Sequence, residues 1–506
     1  MDPIAVLVTI VAYFVLLFLV SYVAGRKSDN EGFFVGNRKS SWFVVAFAMI
    51  GSSISGVTYV SVPGMVGGSG FSYLQMVLGF VVGQFIIAYV LIPLFYRMKL
   101  VSIYGYLENR FGVSSHKTGA WFFFVSKVMG ASVRLFLVCL TLQLLVFGPL
   151  GWPFLLNVVA TVLLVWLYTF RSGVKALIWT DSLKTFCLVV SVVLCLYYIA
   201  SEMNLGLGGT FKAINDSDLS RMFFFDDVND KRFFFKQFLA GIFTMIALNG
   251  LDQDMMQRNL SCRNPKDSQK NMITSVISQF FINLLFLMLG VLLYLYADKF
   301  AIGAPAKSDE LFPMIATGGY FPMVVGILFI IGLISSAYST AGSAMTALTT
   351  SFTVDILGIG NKSEERVRKI RKRVHVGMAV VMGLVIYVFG LLNNTSVIDA
   401  VYTIASYTYG PLLGMFAFGI FTKRRVKDKS IPFIAILSPA LCYVLQSNSK
   451  VWFNGYVFGY ELLIFNALFA CVGMWVFSWG EAAGRQGEVA ARQEEAATRQ
   501  GETAAR

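Results

Sequence analysis

Charge is what this chain has least of. Only 14% of its 506 residues are Asp, Glu, Lys or Arg, against about 25% in an ordinary soluble domain, so a water-facing globule of this size is excluded. Histidine is nearly absent. His116 and His375 are the only two, and with neither an HExxH sequence nor a paired-aspartate protease motif the chain offers no intramembrane hydrolase; no enzyme activity is expected. Six cysteines, five of them inside apolar stretches, make no disulfide framework. There is also no room for a separate soluble domain, because the longest stretch between apolar runs is 204–232. The first run, Ile4 to Ala24, is too long for a signal-peptide core and has no cleavage-like flank, so it reads as a retained helix.

What the chain has is apolar length: 57% of it is hydrophobic. A helix crosses a bilayer in about 20 residues, and stretches of that order occur near 4–24, 41–68, 71–96, 119–148, 152–170, 176–203, 233–253, 271–297, 321–357, 374–392, 398–421, 430–447 and 453–479. The expected fold is all-α and integral to the membrane, with thirteen transmembrane helices. The net charge of +13 is distributed by side: with the N-terminus outside, inward loops carry 26 of the 41 Lys and Arg and outward loops 7. That is a topology signal rather than a nucleic-acid surface. It places the C-terminus in the cytoplasm of a plasma membrane, the inner membrane in a bacterium. Residues 480–506 form a tail repeating every seven positions, in which Glu481, Glu488, Glu495 and Glu502 each precede an arginine by four residues, a spacing that favours a solvated helix.

Two spans are irregular. Gly, Ser and Pro63 interrupt GSSISGVTYVSVPGMVGGSG (51–70), and ALNGLDQD (247–254) interrupts the seventh span. Irregular backbone at membrane depth is tolerated where it lines a cavity or is buried in protein. With residues 1–40 set aside as an extra helix and inward loop, the two breaks open consecutive five-helix sets, 41–203 and 233–421. These are separated by the outside loop 204–232 and followed by two C-terminal helices in 422–479. Broken helices at corresponding places in two halves point to a transporter binding site, although glycine packing is the alternative for either one alone.

The ninth span carries a row of small polar residues: Gly332, Ser335, Ser336, Ser339, Gly342, Ser343, Thr346 and Thr350 fall within an arc of about 120° at 100° per residue. Such a row serves either close helix packing or a hard cation held by oxygens. Asp181, about five residues into the sixth span, favours the cation, since an intramembrane carboxylate needs one. Lys184, one turn later, is the alternative partner.

ALIWTDSLK, together with MKLVSIYGYLENRFG (98–112), LDQDMMQRNL (251–260) and ISSAYSTAGSAMTALTTSFTVDIL (334–357), resembles the sodium/solute symporter family, which includes sodium/galactose, proline and sialic acid symporters. The likeness runs from about residue 30 to 425. It implies the five-plus-five inverted repeat of the leucine-transporter type and sodium-driven import of a small organic solute by alternating access. Carried over by position, the main sodium site falls on Gly51, Ile54, Gly332, Ser335 and Ser336. A second site, as in sialic acid symporters, matches Asp181, Ser335 and Ser339, although Tyr338 stands where a further serine is usual and Lys184 where a glutamine is.

The family's sugar-binding glutamate position falls on Val77, and residues 271–297 contain no lysine, so a sugar is disfavoured. The expected solute-pocket wall is Ser53, Ser55, Thr58, Met76, Asp252 and Thr403. Arg134, mid-span in VSKVMGASVRLFLVCL, matches a carboxylate-binding arginine of the sialic acid symporters and implies an anionic solute; a pair with Asp252 is the structural alternative. Lys127, two turns earlier, is expected to extend its ammonium toward the inner surface. Proton coupling, a neutral solute or a transporter-like sensor are the competing functions.

Overall fold

The computed structural model describes residues 3–25, 49–50, 55–98, 103–169, 174–260, 262, 264–303, 305, 307–357, 364–392 and 396–481; within these, the side chains of 16–25, 174–185 and several single positions are not described. The expected sodium ligands Gly51 and Ile54 and the pocket residue Ser53 lie outside the described residues, and so does the seven-residue repeat after Glu481.

The described chain is almost entirely helical. In order it forms α1 (Pro3–Gly25), α2 (Gly56–Ser69), α3 (Tyr73–Ile86), α4 (Ile92–Arg97), α5 (Gly105–Arg110), α6 (Val113–Leu142), α7 (Phe154–Thr169), α8 (Val174–Glu202), α9 (Leu207–Asn215) and α10 (Phe234–Met245). There follow α11 (Gln253–Leu260), α12 (Pro265–Lys299), α13 (Leu311–Thr317), α14 (Met323–Ser351), α15 (Glu364–Leu392), α16 (Val397–Thr408), α17 (Gly410–Phe421), α18 (Ile431–Trp452) and α19 (Leu462–Val476). One two-stranded ribbon pairs β1 (Arg424–Val426) antiparallel with β2 (Ser478–Glu481). Among the described residues six helices are long and apolar enough to cross a membrane, or up to eight if each of two bent pairs is one span. Four shorter apolar helices accompany them: Ile4–Val15, Phe154–Leu167, Phe234–Gly250 and Leu462–Val476.

The break in the seventh span is present: α10 widens into a π-helical turn at Ile246–Gly250, stops at Leu251 and restarts as α11. In the second span, Met49 and Ile50 are helical and helix resumes at Gly56, with Ser55 in extended conformation. Pro63 is no interruption. It lies inside continuous α2, a place that membrane proteins tolerate when neighbours satisfy the freed backbone.

Packing follows small residues, since hydrocarbon provides no hydrophobic drive between helices. α3 and α10 cross where a Cβ on Gly79 would lie 2.2 Å from the Phe238 carbonyl oxygen and one on Gly241 2.1 Å from that of Met76. α14 is central. Gly332 presses on Leu188 of α8, where a Cβ would meet Cδ2 at 3.0 Å. Phe14 of α1 packs edge-on against Tyr338 at 4.7 Å between centroids. Tyr198 and Phe321 stack at 6.2 Å, so α8 and α14 run antiparallel. That register puts Asp181 and Ser339 at one level, each seven residues, or about 10 Å, from the Leu188–Gly332 contact.

Candidate functional site

The broken helices meet around a cavity of about 140 Å³. Its wall takes Ser55 and Thr58 from α2, Tyr73 and Phe80 from α3, Ser126 and Arg134 from α6, Ser339 and Ser343 from α14, and Tyr402 from α16. Ser55 caps α2: its Oγ accepts the Thr58 N–H at 3.2 Å. Of the expected pocket residues, Ser55, Thr58, Arg134 and Asp252 line this cavity. Met76 and Thr403 do not. Met76 is fully buried at the α3–α10 crossing, where the close backbone approach uses its face of the helix. Thr403 is exposed; at 100° per residue its neighbours Tyr402 and Ile404 reach the cavity instead.

The cavity floor is a buried ionic network. Lys127 Nζ donates to Asp252 Oδ2 at 2.9 Å and Oδ1 at 3.1 Å and lies 3.5 Å from Asp254 Oδ2. Asp252 Oδ1 also accepts the N–H groups of Asp254 (3.0 Å) and Met255 (3.2 Å), so the carboxylate caps α11. Tyr409, at the 47° bend between α16 and α17, donates to Asp252 Oδ2 at 3.1 Å. Ser343 donates to Asp254 at 2.9 Å. The break is held from the other side as well: the Leu251 carbonyl accepts from Tyr104 at 2.9 Å and Gln253 Oε1 accepts the Ile103 N–H at 2.8 Å. Thus the motif at 98–112 secures the motif at 251–260.

The expectation that Lys127 reaches the inner surface is overturned. Its side chain is 10% exposed and Asp252's is 5% exposed, because two carboxylates at the helix break supply the counter-charge that an ammonium at membrane depth requires. With Asp252 so engaged, the alternative Arg134–Asp252 pair does not form. Among the described residues the Arg134 guanidinium has no hydrogen bond or ion pair; it folds back toward Gly130, one turn earlier, where a Cβ would lie 3.7 Å from Nη1. Ser126, Gly130 and Arg134 form an i, i+4, i+8 stripe facing the cavity. The Ser126 hydroxyl is buried and, among the described residues, has no hydrogen-bond partner. Sequence reasoning missed Ser126 and Gly130, although their spacing from Arg134 was visible. It also missed Tyr409, whose signal was the Tyr-Gly-Pro that bends the eleventh span.

The hydroxyl row divides in two. Ser339 and Ser343 face the cavity. Ser335 and Ser336 lie deeper, 2% and 0% exposed, and Ser336 faces the start of α2, where a Cβ on Gly56 would be 3.9 Å from Ser336 Cβ. Among the described residues Ser335 Oγ has no hydrogen-bond partner. A buried hydroxyl left so is costly unless something else uses the oxygen, and a hard cation takes oxygens of this kind. Thr340, Thr346 and Thr349 instead return their hydroxyls to carbonyls four residues back. Tyr338 packs against Phe14 of α1. The Asp181 side chain is among those not described.

Residues 33–429 match the sodium:solute symporter family. The chain is 26% identical over 472 residues to the sodium/sialic acid symporter NanT of Aliivibrio fischeri, covering 87% of this chain and 86% of that one. It is 24% identical to the human sodium/iodide cotransporter, covering 79% of this chain and 63% of that one. With the mouse sodium-coupled monocarboxylate transporter 2 it shares 24%, covering 78% and 64%. The chain thus spans somewhat under two thirds of the length of these two mammalian relatives. In backbone it is similar to a solved Na+-coupled sialic acid symporter in a substrate-bound outward-open state, with a TM-score of 0.77 at 21% identity, covering 93% of this chain and 97% of that one. By the extent of the family match, together with a helical architecture broken around one cavity, this chain belongs to the sodium:solute symporter family.

Proposed function

We propose that this protein is a plasma-membrane symporter that uses the sodium gradient to import a small organic carboxylate by alternating access, with Arg134 binding the carboxylate. The observation that carries the reading is the unpaired guanidinium in the cavity wall. A fixed cation at membrane depth is expensive, and here the nearby carboxylates are already committed to Lys127. A carboxylate solute completes the site through a bidentate pair.

Thirteen spans in a five-plus-five inverted repeat, with the N-terminus outside, fit the arrangement of α1 to α19: the six long helices, two bent pairs and four shorter apolar helices leave α2 as the remaining crossing. For sodium, the orphaned Ser335 hydroxyl, the neighbouring Ser336 and the backbone of Gly332 fit a main site, completed by Gly51 and Ile54. Asp181 and Ser339, level with one another, fit a second. Neither site needs His or Cys ligands, as suits a hard ion. Ser53, Ser55, Thr58 and Asp252 stay in the proposed solute-facing set, to which the cavity adds Ser126 and Tyr402 in place of Met76 and Thr403.

Uptake into proteoliposomes tests this. Sialic acid, a short monocarboxylate and iodide are offered with an inward sodium gradient, then with choline in place of sodium at fixed pH. Sodium-dependent uptake of at least one carboxylate, lost in Arg134→Ala, is expected. Uptake unchanged in choline would overturn sodium coupling, and uptake of iodide alone would overturn the carboxylate.

A further inference from the structure

A second cavity, of about 860 Å³, lies toward the Lys299 end of α12 and shares no lining residue with the cavity around Arg134. Its roof is the segment that follows α8. α9 turns 93° from α8, so it runs across the ends of the spans instead of through the bilayer. Leu207, Phe211 and Ile214 fall on one side of α9 at i, i+4 and i+7. Leu207 and Phe211 are 86% and 61% exposed, and Phe211 and Ile214 reach the cavity. An amphipathic helix in that attitude lies in the interface plane of a membrane. The rest of the roof rests on the end of α2: Gly70 takes a φ of +58°, and a Cβ on it would lie 3.2 Å from the carbonyl oxygens of Leu219 and Arg221. The Phe71 N–H donates to the Arg221 carbonyl at 3.0 Å, the Phe224 N–H to Gln75 Oε1 at 3.2 Å, and Gln75 Nε2 to the Arg232 carbonyl at 2.8 Å.

Below the roof the wall is apolar. Leu284 and Met288 of α12 line it, about 22 and 16 Å along the helix from Lys299 at 1.5 Å per residue. That reaches the depth of one leaflet, roughly 15 Å of hydrocarbon. Ile277 and Phe281, both exposed, continue the same stripe of α12 at i, i+4, i+7 and i+11, so the cavity opens onto a face that this membrane-crossing helix turns to lipid. On α2, a Cβ at Gly68 would meet no described atom within 4 Å.

The polar end carries charges of both signs. The guanidinium carbons of Arg221 and Arg232 each lie 4.6 Å from the centroid of the Phe224 ring. Arg221 uses Nε for the Phe223 carbonyl and Nη2 for Asp226, and Arg232 uses Nε and Nη2 for Asp230. Among the described residues Nη1 of neither makes a hydrogen bond. Asp216 and Asp218 line the same end and are exposed. Residues 204–232 carry five Asp against four Lys and Arg, so this end does not favour a ligand of one sign. A phosphate suits the two guanidiniums. A primary ammonium can donate its N–H groups to the two carboxylates, and a quaternary one has none to donate. Charges of both signs above an apolar slot of leaflet depth specify an amphiphile. We propose that this cavity binds a phospholipid of the phosphatidylethanolamine class, with its phosphate on Arg221 and Arg232, its amine toward Asp216 and Asp218, and an acyl chain along Leu284 and Met288. Because the roof is bonded to Phe71 and Gln75, the lipid bears on the turn between α2 and α3 and braces that end of the broken second span.

Native mass spectrometry of the purified protein tests the site with no solute present, so the result is independent of what is carried. The probes are dioleoyl phosphatidylethanolamine, the corresponding choline and glycerol lipids, and free phosphoethanolamine. Phosphatidylethanolamine should bind about tenfold more tightly than either other lipid, the scale of one charge-assisted hydrogen bond. Gly68→Phe should abolish that preference, since its ring fills the open slot. The double change Asp216→Asn and Asp218→Asn, at exposed positions, should bring phosphatidylethanolamine down to the level of the choline lipid. Equal binding of the three lipids, a preference for the glycerol lipid, or unchanged binding in Gly68→Phe would overturn the proposal. Phosphoethanolamine binding as tightly as the lipid would also overturn it, in favour of a soluble phosphate. If Gly68→Phe does not fold, Met288→Trp fills the same slot from α12 and should have the same effect; unchanged binding there would refute the site.

Discussion

Replacing Lys127 with methionine removes the one ammonium shared by Asp252 and Asp254 while keeping most of the side-chain volume. The structure sets the size of the effect. Breaking a buried pair by deleting one partner costs about 3–5 kcal/mol. Asp252 would keep three other donors, the N–H groups of Asp254 and Met255 and the Tyr409 hydroxyl, which favours the lower end, about 3 kcal/mol. Asp252→Asn added to Lys127→Met removes the more deeply buried of the two stranded charges, and its oxygen still accepts the α11 N–H groups. The double variant should recover about 2 kcal/mol of that loss, a coupling energy within the range for contacting residues and equal to roughly 30-fold in an equilibrium constant. The assay is denaturant unfolding of the four proteins of the cycle in one detergent, each with sodium fixed. Additive effects, or a Lys127→Met protein within about 0.5 kcal/mol of wild type, the range of a surface change, would show that the ammonium reaches water and that the network does not hold the break.

Arg134→Lys should weaken solute binding about 10- to 100-fold, because a point charge replaces one of two charge-assisted bonds worth about 1.5–3 kcal/mol each; solute-dependent melting shifts measure it, and an unchanged shift would reject the arginine as the anchor. No stability loss should accompany it, in contrast to Lys127→Met, since no described partner is stranded. Ser335→Ala should leave the sodium-free protein as stable or more so, by up to about 1–3 kcal/mol, the cost of a buried unsatisfied hydroxyl. The same variant should shrink the stabilisation that added sodium confers; an intact sodium response would assign the hydroxyl row to packing. Asp181→Asn should lower sodium affinity more than expression, and restoration of transport by Lys184→Gln on top of it would show an ordinary ion pair instead of an ion site.

Apolar run length and residue type by themselves determined that this is a helical membrane protein with a break at 247–254, because in hydrocarbon a backbone must close its own hydrogen bonds and the exceptions are confined to protein-lined cavities. They also marked Arg134, Asp252 and the serines of α14, since polar groups at membrane depth are few. What they could not decide is which charges meet. The sequence offered Asp252 only to Arg134 and sent Lys127, two turns earlier on the same helix, toward the inner surface; the positions of the break in the seventh span and the bend at Tyr409 instead assign the carboxylates to Lys127 and leave Arg134 for a ligand. The side of α3 and α16 that faces the cavity was likewise misplaced, on Met76 and Thr403. Hydrophobic periodicity is weak where helices are buried on most faces, so it could not point to Phe80 and Tyr402, which line the cavity instead. The Gly79–Gly241 crossing, a contact between residues 162 positions apart, settles that rotation for α3.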